Sequence, residues 1–236
     1  MVNAPSAESR ILYLHEACLV LNKLPGEAVQ STASGIHDVS RILAVQIGET
    51  AQGKGFFPAA VHRLDVPVSG ASLFARTPKA LAFLNAAFAQ GRIEKRYLAV
   101  IEKPPSSLAL PETGELVHWI KTDTGRNKSV AYYEKVPGSK KAILHYRIKG
   151  YGDHYLFMEI DLLTGRHHQI RAQLARLGLH IKGDLKYGAR RSEPAGGIRL
   201  HGYSLCFPKP TGRDEVISVT APPPTRDRLW ETFENL

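Results

Sequence analysis

Apolar residues along this chain fall in short runs set apart by turn chemistry. Ile11 to Leu14, Cys18 to Leu21, Ala71 to Ala75, Tyr97 to Ile101, Ser129 to Tyr133, Ala142 to Ile148, Tyr155 to Leu162, Ile198 to Phe207 and Val216 to Val219 predict strands. Helical spacing is rarer. After Thr77-Pro78, an N-cap followed by a first-turn proline, Ala80, Leu81, Leu84, Ala87 and Phe88 recur at helical intervals as far as Gly91. A second helix is predicted from about His168 to Leu177, with Ile170, Leu174 and Leu177 on its apolar face, and a third near Thr225 to Phe233. Many strands with few helices between them argue for an α+β domain on a large, mostly antiparallel sheet with flanking helices, not for alternating βαβ units. Lys103 to Gly114, Val136 to Lys141 and Ala189 to Gly197 read as loops, and Pro104-Pro105-Ser106-Ser107 marks a place where two halves of one sheet would part.

The 236 residues suffice for one sizeable core, and 43% hydrophobic with 22% charged residues is ordinary for a globular protein. The charge balance narrows the picture. Thirty-one Lys plus Arg against 22 Asp plus Glu give a formal net charge of +9, so a polyanion such as nucleic acid, or an anionic membrane surface, is a fitting partner. Cys18 and Cys206 each sit in an apolar run and read as small buried hydrophobes, which suits a reducing compartment. The first ten residues lack a basic stretch followed by an apolar segment, and no run approaches the length that spans a bilayer. A cytoplasmic protein is expected.

Chemistry concentrates in three places. The first is His62-Arg63-Leu64-Asp65, followed by Val66-Pro67-Val68-Ser69-Gly70 and the apolar run from Ala71. Turn residues feeding a strand hold a ring base, a guanidinium and a carboxylate on a rigid ledge. Taken alone, the same tetrad also reads as an exposed loop pair of little energetic weight. The second is Leu162 to Arg171, where a strand ends, Thr164 is placed to cap, and polar residues fill the first helical turn. Arg166 and Arg171 fall on different helical faces and need separate jobs. Arg171, on the core side, calls for a carboxylate partner, and Asp65 is the candidate. The third is Glu94-Lys95-Arg96-Tyr97, a basic pair and an aromatic at a strand entry; Tyr97 reads either as a core-edge tyrosine or as a stacking platform for a base.

Other chemistries fit poorly. His167, His168 and His180 invite a metal, but adjacent histidines on a helix point in different directions and no carboxylate or Cys stands at ligand spacing. Gly48 to Gly55 and Gly196-Gly197 match no phosphate-binding loop, and Val68-Ser69-Gly70 is half of a nucleophile elbow. A hydrolase working through Ser69 and His62 predicts loss of activity in Ser69→Ala.

Taken together, His62-Arg63-Leu64-Asp65 with Ser69-Gly70, then Lys95-Arg96-Tyr97-Leu98-Ala99, then Gly165-Arg166 with His168-Gln169-Ile170-Arg171, resemble the RluA-type pseudouridine synthases in order and spacing. Asn22-Lys23 with Pro25-Gly26, Gly183-Asp184 with Tyr187-Gly188, and Leu200-His201 before Leu205 support the resemblance, which runs from about Leu12 to Pro208. Val68 stands where the family commonly has Thr, and His167 where it often has Thr or Ser.

The resemblance implies a pseudouridine synthase fold with a large mixed, mostly antiparallel sheet, in a single catalytic domain spanning 1–236 with its core at about 11–220 and no N-terminal S4-like domain. It implies isomerisation of a uridine in structured rRNA or tRNA, with no cofactor, no metal and no membrane, by a protein expected to act as a monomer. Asp65 would be the catalytic carboxylate, as nucleophile at C1′ or base at C2′, paired with Arg171, with Tyr97 stacking on the flipped uracil. Arg63 would fill the vacated space in the RNA; His62, Arg166, Gln169, Lys95 and Arg96 would contact RNA. The alternative is a relative that binds RNA without turnover, although it would be free to lose Asp65 or Arg171.

Overall fold

The computed structural model describes residues 8–30, 39, 43, 58–104, 110–194, 196–211 and 215–236. The chain opens with β1 (Ile11–Leu14), β2 (Cys18–Lys23), β3 (Ala59–Ala60), β4 (Ser69–Ala75) and α1 (Pro78–Ala89). There follow β5 (Glu94–Glu102), β6 (Thr113–Asp123), β7 (Lys128–Tyr132), β8 (Lys140–Tyr151), β9 (Tyr155–Leu162) and α2 (Gln169–Arg176). β10 (Leu200–Pro208), β11 (Val216–Thr220) and α3 (Arg228–Glu234) complete the described elements. This is the α+β, mostly antiparallel architecture that the patterning predicts. β6, which begins within the stretch read as a loop, and the two-residue β3 are additions to it.

Two compact units interleave along the chain: Met1–Glu94 with Gly202–Pro224, and Lys95–His201 with Thr225–Leu236. The division therefore falls at Glu94 and not at Pro104 to Ser107, of which 105–107 lie outside the described residues.

In the first unit β2 and β4 pair antiparallel from Cys18↔Ala75 to Lys23↔Gly70, and every residue of both strands is buried. α1 starts as its sequence dictates: Pro78 occupies the first turn and the Thr77 hydroxyl accepts from the Ala80 N–H at 3.1 Å. Its buried face, Ala80, Leu84 and Ala87, packs with Cys18, Val20, Leu73, Leu205 and Phe207. Both cysteines are free thiols, Cys18 fully buried and Cys206 only partly so.

One glycine is obligatory to this arrangement. Gly70 opens β4 at φ +119°, and a Cβ there would lie 2.3 Å from the Gly202 carbonyl oxygen and 2.6 Å from its Cα. Backbone meets backbone, so nothing flexible can yield. Gly70→Ala is expected to lower the unfolding free energy by about 3 kcal/mol or more, read as a drop in the urea midpoint at unchanged m-value.

In the second unit the strand order is β5-β9-β8-β6-β7, with antiparallel registers throughout. α2 packs over β6 and β7, where Ile120, Ala131, Ala142, Ala172 and Tyr187 form a small core. α2 starts one residue later than predicted. Its N-cap, His168, lies in the left-handed region at φ 52°, and Thr164 does not cap it. The Thr164 hydroxyl instead meets Ile143 and the Gln169 amide oxygen. Because the helix has not begun at His167 and His168, their rings do not diverge as helical neighbours would; they stack at 3.8 Å. α3 is capped by Asp227, whose carboxylate accepts from Leu229 and Trp230 N–H and pairs with Arg199 at 2.7 Å.

Candidate active site

In the first unit the tetrad alternates between the core and the surface. His62 and Leu64 are buried, Arg63 is exposed and Asp65 is half-buried. The buried pair pins the loop that carries the two charged residues. His62 stands in for a stretch of backbone. β3 pairs with β4 for two residues only, Val61 N–H donates to Leu73 O at 2.9 Å, and the Leu73 N–H then donates to His62 Nε2 at 3.2 Å. An accepting ring nitrogen carries no proton, so the neutral imidazole continues the strand's hydrogen bonding where the backbone turns away. The ring also stacks on Phe88 at 6.5 Å. Val68 N–H closes a turn onto Asp65 O at 3.0 Å, and the Val68 side chain is buried.

A residue outside the three sequence clusters secures the far side of this loop. Lys23, at the end of β2, is 0% exposed, and its ammonium donates to Leu24 O (2.8 Å), Glu27 O (2.9 Å) and Val66 O (3.2 Å). Gly26 N–H adds a bond to Val66 O at 2.8 Å. The residue next to Asp65 is thus tied to the 24–27 turn, which Arg10 in turn grips through a bidentate pair with Glu27 at 2.8 and 2.9 Å. Burial pushes the Lys23 amine down to about 7, against the upward pull of the Glu27 and Asp65 carboxylates. A lysine with its three N–H groups facing three carbonyls, in the field of Asp65, is a signal that spacing alone does not carry.

In the second unit Lys95, Arg96 and Tyr97 occupy three successive positions of β5 and so alternate in direction. Lys95 and Tyr97 are buried, and burial lowers the Lys95 amine to about 8. Arg96 is exposed and pairs across the strands with Asp161 at 2.7 Å, a contact of less than about 1 kcal/mol at such exposure.

Arg166 and Gln169 form a structured turn. Gln169 is buried; its amide oxygen accepts from Thr164 Oγ1 (2.8 Å) and Arg166 N–H (3.0 Å), and its amide nitrogen donates to Ile143 O (3.1 Å). Arg166 is exposed, with Nε on Lys141 O at 2.9 Å. Arg190 and Arg191 are exposed as well.

Arg171 meets a carboxylate that the sequence did not nominate. Its Nε and Nη2 donate to the two oxygens of Asp184 at 2.7 and 2.8 Å, with both side chains buried. The Tyr187 ring lies under the guanidinium at 4.8 Å. Tyr187 is fixed by its own hydroxyl, which accepts from Ser129 N–H at 2.8 Å and bonds His168 Nδ1 at 2.9 Å. His167 Nδ1 meets Ser129 Oγ at 3.0 Å, which gives the unusual histidine a partner. Among the described residues no cluster of three His, Cys, Asp or Glu side chains has metal-holding geometry. No helix among them is long and apolar enough to cross a membrane.

Comparison with known proteins covers most of the chain. A family model described as RNA pseudouridylate synthase matches residues 17–176. An uncharacterised RNA pseudouridine synthase of Zymomonas mobilis is 30% identical over 203 residues, covering 85% of this chain and 88% of that protein. The tRNA pseudouridine synthase C of Haemophilus ducreyi is 28% identical over 247 residues, covering 97% and 95%. Among solved structures, human RNA pseudouridylate synthase domain containing 1 superposes with a TM-score of 0.69 at 25% identity, covering 91% of this chain and 83% of its own.

Proposed function

The chain belongs to the RNA pseudouridylate synthase family and is an RNA pseudouridine synthase, an isomerase, and from that premise we propose that it converts a specific uridine of structured rRNA or tRNA, with Asp65 as the catalytic carboxylate. The observation that carries the reading is the setting of Asp65: half-buried, on a loop whose neighbours His62, Leu64 and Val66 are each held by the fold. A carboxylate that must meet C1′ or C2′ of a ribose needs a fixed position more than it needs reach.

The target nucleotide leaves its stack to reach such a group, at a cost of a few kcal/mol. Tyr97 stacks on the extruded uracil, contributing on the order of 1 to 3 kcal/mol. Arg63, exposed two residues before Asp65, occupies the space vacated in the RNA. Arg171 is the basic residue that works with the Asp65 carboxylate in the reaction, and within its own unit it is held by Asp184 through Nε and Nη2. Arg166, Arg96 and the Arg190-Arg191 loop contact phosphates, Lys95 adds a buried positive charge, and the buried His62 and Gln169 act through the backbone they hold. The match to a tRNA-named relative over nearly the full length of both chains supports tRNA as the first substrate to test.

Pseudouridine mapping of total RNA from cells with and without the gene identifies the substrate. At least one site is expected to vanish in the deletion and return with the wild-type gene; an unchanged map would overturn the proposed substrate classes.

A further inference from the structure

The turn that carries Gly183-Asp184 and Tyr187-Gly188 presents two groups to the guanidinium of Arg171, the Asp184 carboxylate and the Tyr187 ring. We infer that Asp184 and Tyr187 are positioning residues that fix the plane and the direction of Arg171, an inference that rests on Arg171 being the basic group of the site.

The geometry restrains the group in every coordinate that matters. A side-on bidentate carboxylate at 2.7 and 2.8 Å sets the guanidinium's rotation in its own plane, and the Tyr187 ring 4.8 Å below its central carbon sets the tilt of that plane. The clamp is itself anchored. Tyr187 N–H and Ala189 N–H both donate to the Asp184 backbone carbonyl, at 3.0 and 3.1 Å, so carboxylate and ring belong to one tight turn. His180 Nδ1 meets Tyr187 O at 2.7 Å, and a Cβ on Gly188 would lie 2.7 Å from the His180 ring, which accounts for a glycine at that position. The Tyr187 hydroxyl reaches Ser129 on β7 and His168, the N-cap of α2. Helix, strand and turn thus converge on one side chain. A residue needed for charge alone would not require this; any nearby cation would serve. A guanidinium aimed at a small target does require it, because a displacement of about 1 Å costs on the order of 100-fold in rate.

The test measures single-turnover rates and RNA dissociation constants on the mapped RNA for Asp184→Asn, Asp184→Glu, Tyr187→Phe, Arg171→Lys and the double variant Arg171→Lys/Asp184→Asn, together with hydrogen exchange of the Arg171 Nε–H in a ¹⁵N spectrum of the full chain. Asp184→Asn is expected to slow the folded enzyme about 30-fold with RNA affinity within about threefold, and Asp184→Glu to recover part of the rate. Tyr187→Phe, which keeps the ring and loses its anchor, is expected to fall between wild type and Asp184→Asn. The double variant is expected to be no more than about twofold slower than Arg171→Lys, because both changes act on one group. Slow exchange of the Nε–H is expected in wild type and lost in Asp184→Asn. Additive losses in the double variant, or an Asp184→Asn enzyme that merely unfolds more easily and turns over normally when folded, would overturn the inference. A wild-type rate in Arg171→Lys would instead remove Arg171 from the site and the positioning role with it, and this failure is distinct because it is visible without any change at Asp184.

Discussion

Asp65→Asn is expected to reduce pseudouridine formation by on the order of 10⁴-fold or more while the protein stays folded and keeps its RNA affinity within about threefold. The substitution keeps size and hydrogen-bonding shape and removes the negative charge and the basic, nucleophilic oxygens. Urea melts on the same variant separate any loss of stability from the loss of turnover. One side effect has a defined sign. Asp65 is one of two carboxylates that raise the Lys23 amine against burial, so the variant lowers that amine below its wild-type value of about 7. Single-turnover conversion with enzyme in excess, read by pseudouridine-specific chemistry on the mapped RNA, gives the rate; filter binding gives the affinity. Conversion at a tenth of the wild-type rate or faster would end the assignment of Asp65 as catalyst.

Much of the fold was legible because most strands are short apolar runs set apart by turn chemistry. β4 and β9 are dense in apolar residues, and α1 carries both a cap and a helical repeat. β6 was not legible for the opposite reason. Its inward positions include His118, its outward ones Val117 and Trp119, and the contrast between faces that marks a half-buried strand is blurred. The tetrad and Arg171 stand out because charged residues crowd beside apolar runs. The bond from Asp184 to Arg171 does not: a buried guanidinium announces that it needs a carboxylate but not how many or which, and Asp184 sits thirteen residues on, outside the helix that carries the arginine. His168 misled in a simpler way, since its left-handed backbone breaks the helical spacing from which divergence of the two histidines is expected. Lys23 stood out in the Asn22-Lys23 motif, but its burial did not. At the end of an apolar strand a lysine reads as the exit to solvent, and only the three carbonyls around it show that the chain keeps it inside.

Lys23→Met is therefore expected to have an effect second only to that of Asp65→Asn. Met fills nearly the same volume but offers no donor, leaving Leu24 O, Glu27 O and Val66 O without the ammonium that bridges them. A loss of about 3 kcal/mol in unfolding free energy is expected at pH 6, where the lysine is charged and makes all three bonds. The pH dependence separates this from generic core damage. The folded-state value near 7 lies below the ordinary lysine value near 10.5, so between them the unfolded chain holds more protons than the native one, and wild-type stability gains with rising pH in that window. Lys95, lowered to about 8, contributes with the same sign but is present in both proteins, so it cancels in the difference. The gap between wild type and Lys23→Met is thus expected to be flat below pH 6 and to widen from pH 7 upward, as read by urea melts across the series. Turnover gives the second readout. Val66 O is the only one of the three acceptors adjacent to Asp65, and losing the ammonium while keeping only the Gly26 N–H loosens the carboxylate's position; kcat of the folded variant is expected to drop about 100-fold with KM little changed. A variant that loses stability yet turns over normally when folded would reduce Lys23 to a packing role, and a gap that stays flat through pH 9 would contradict the buried ammonium itself.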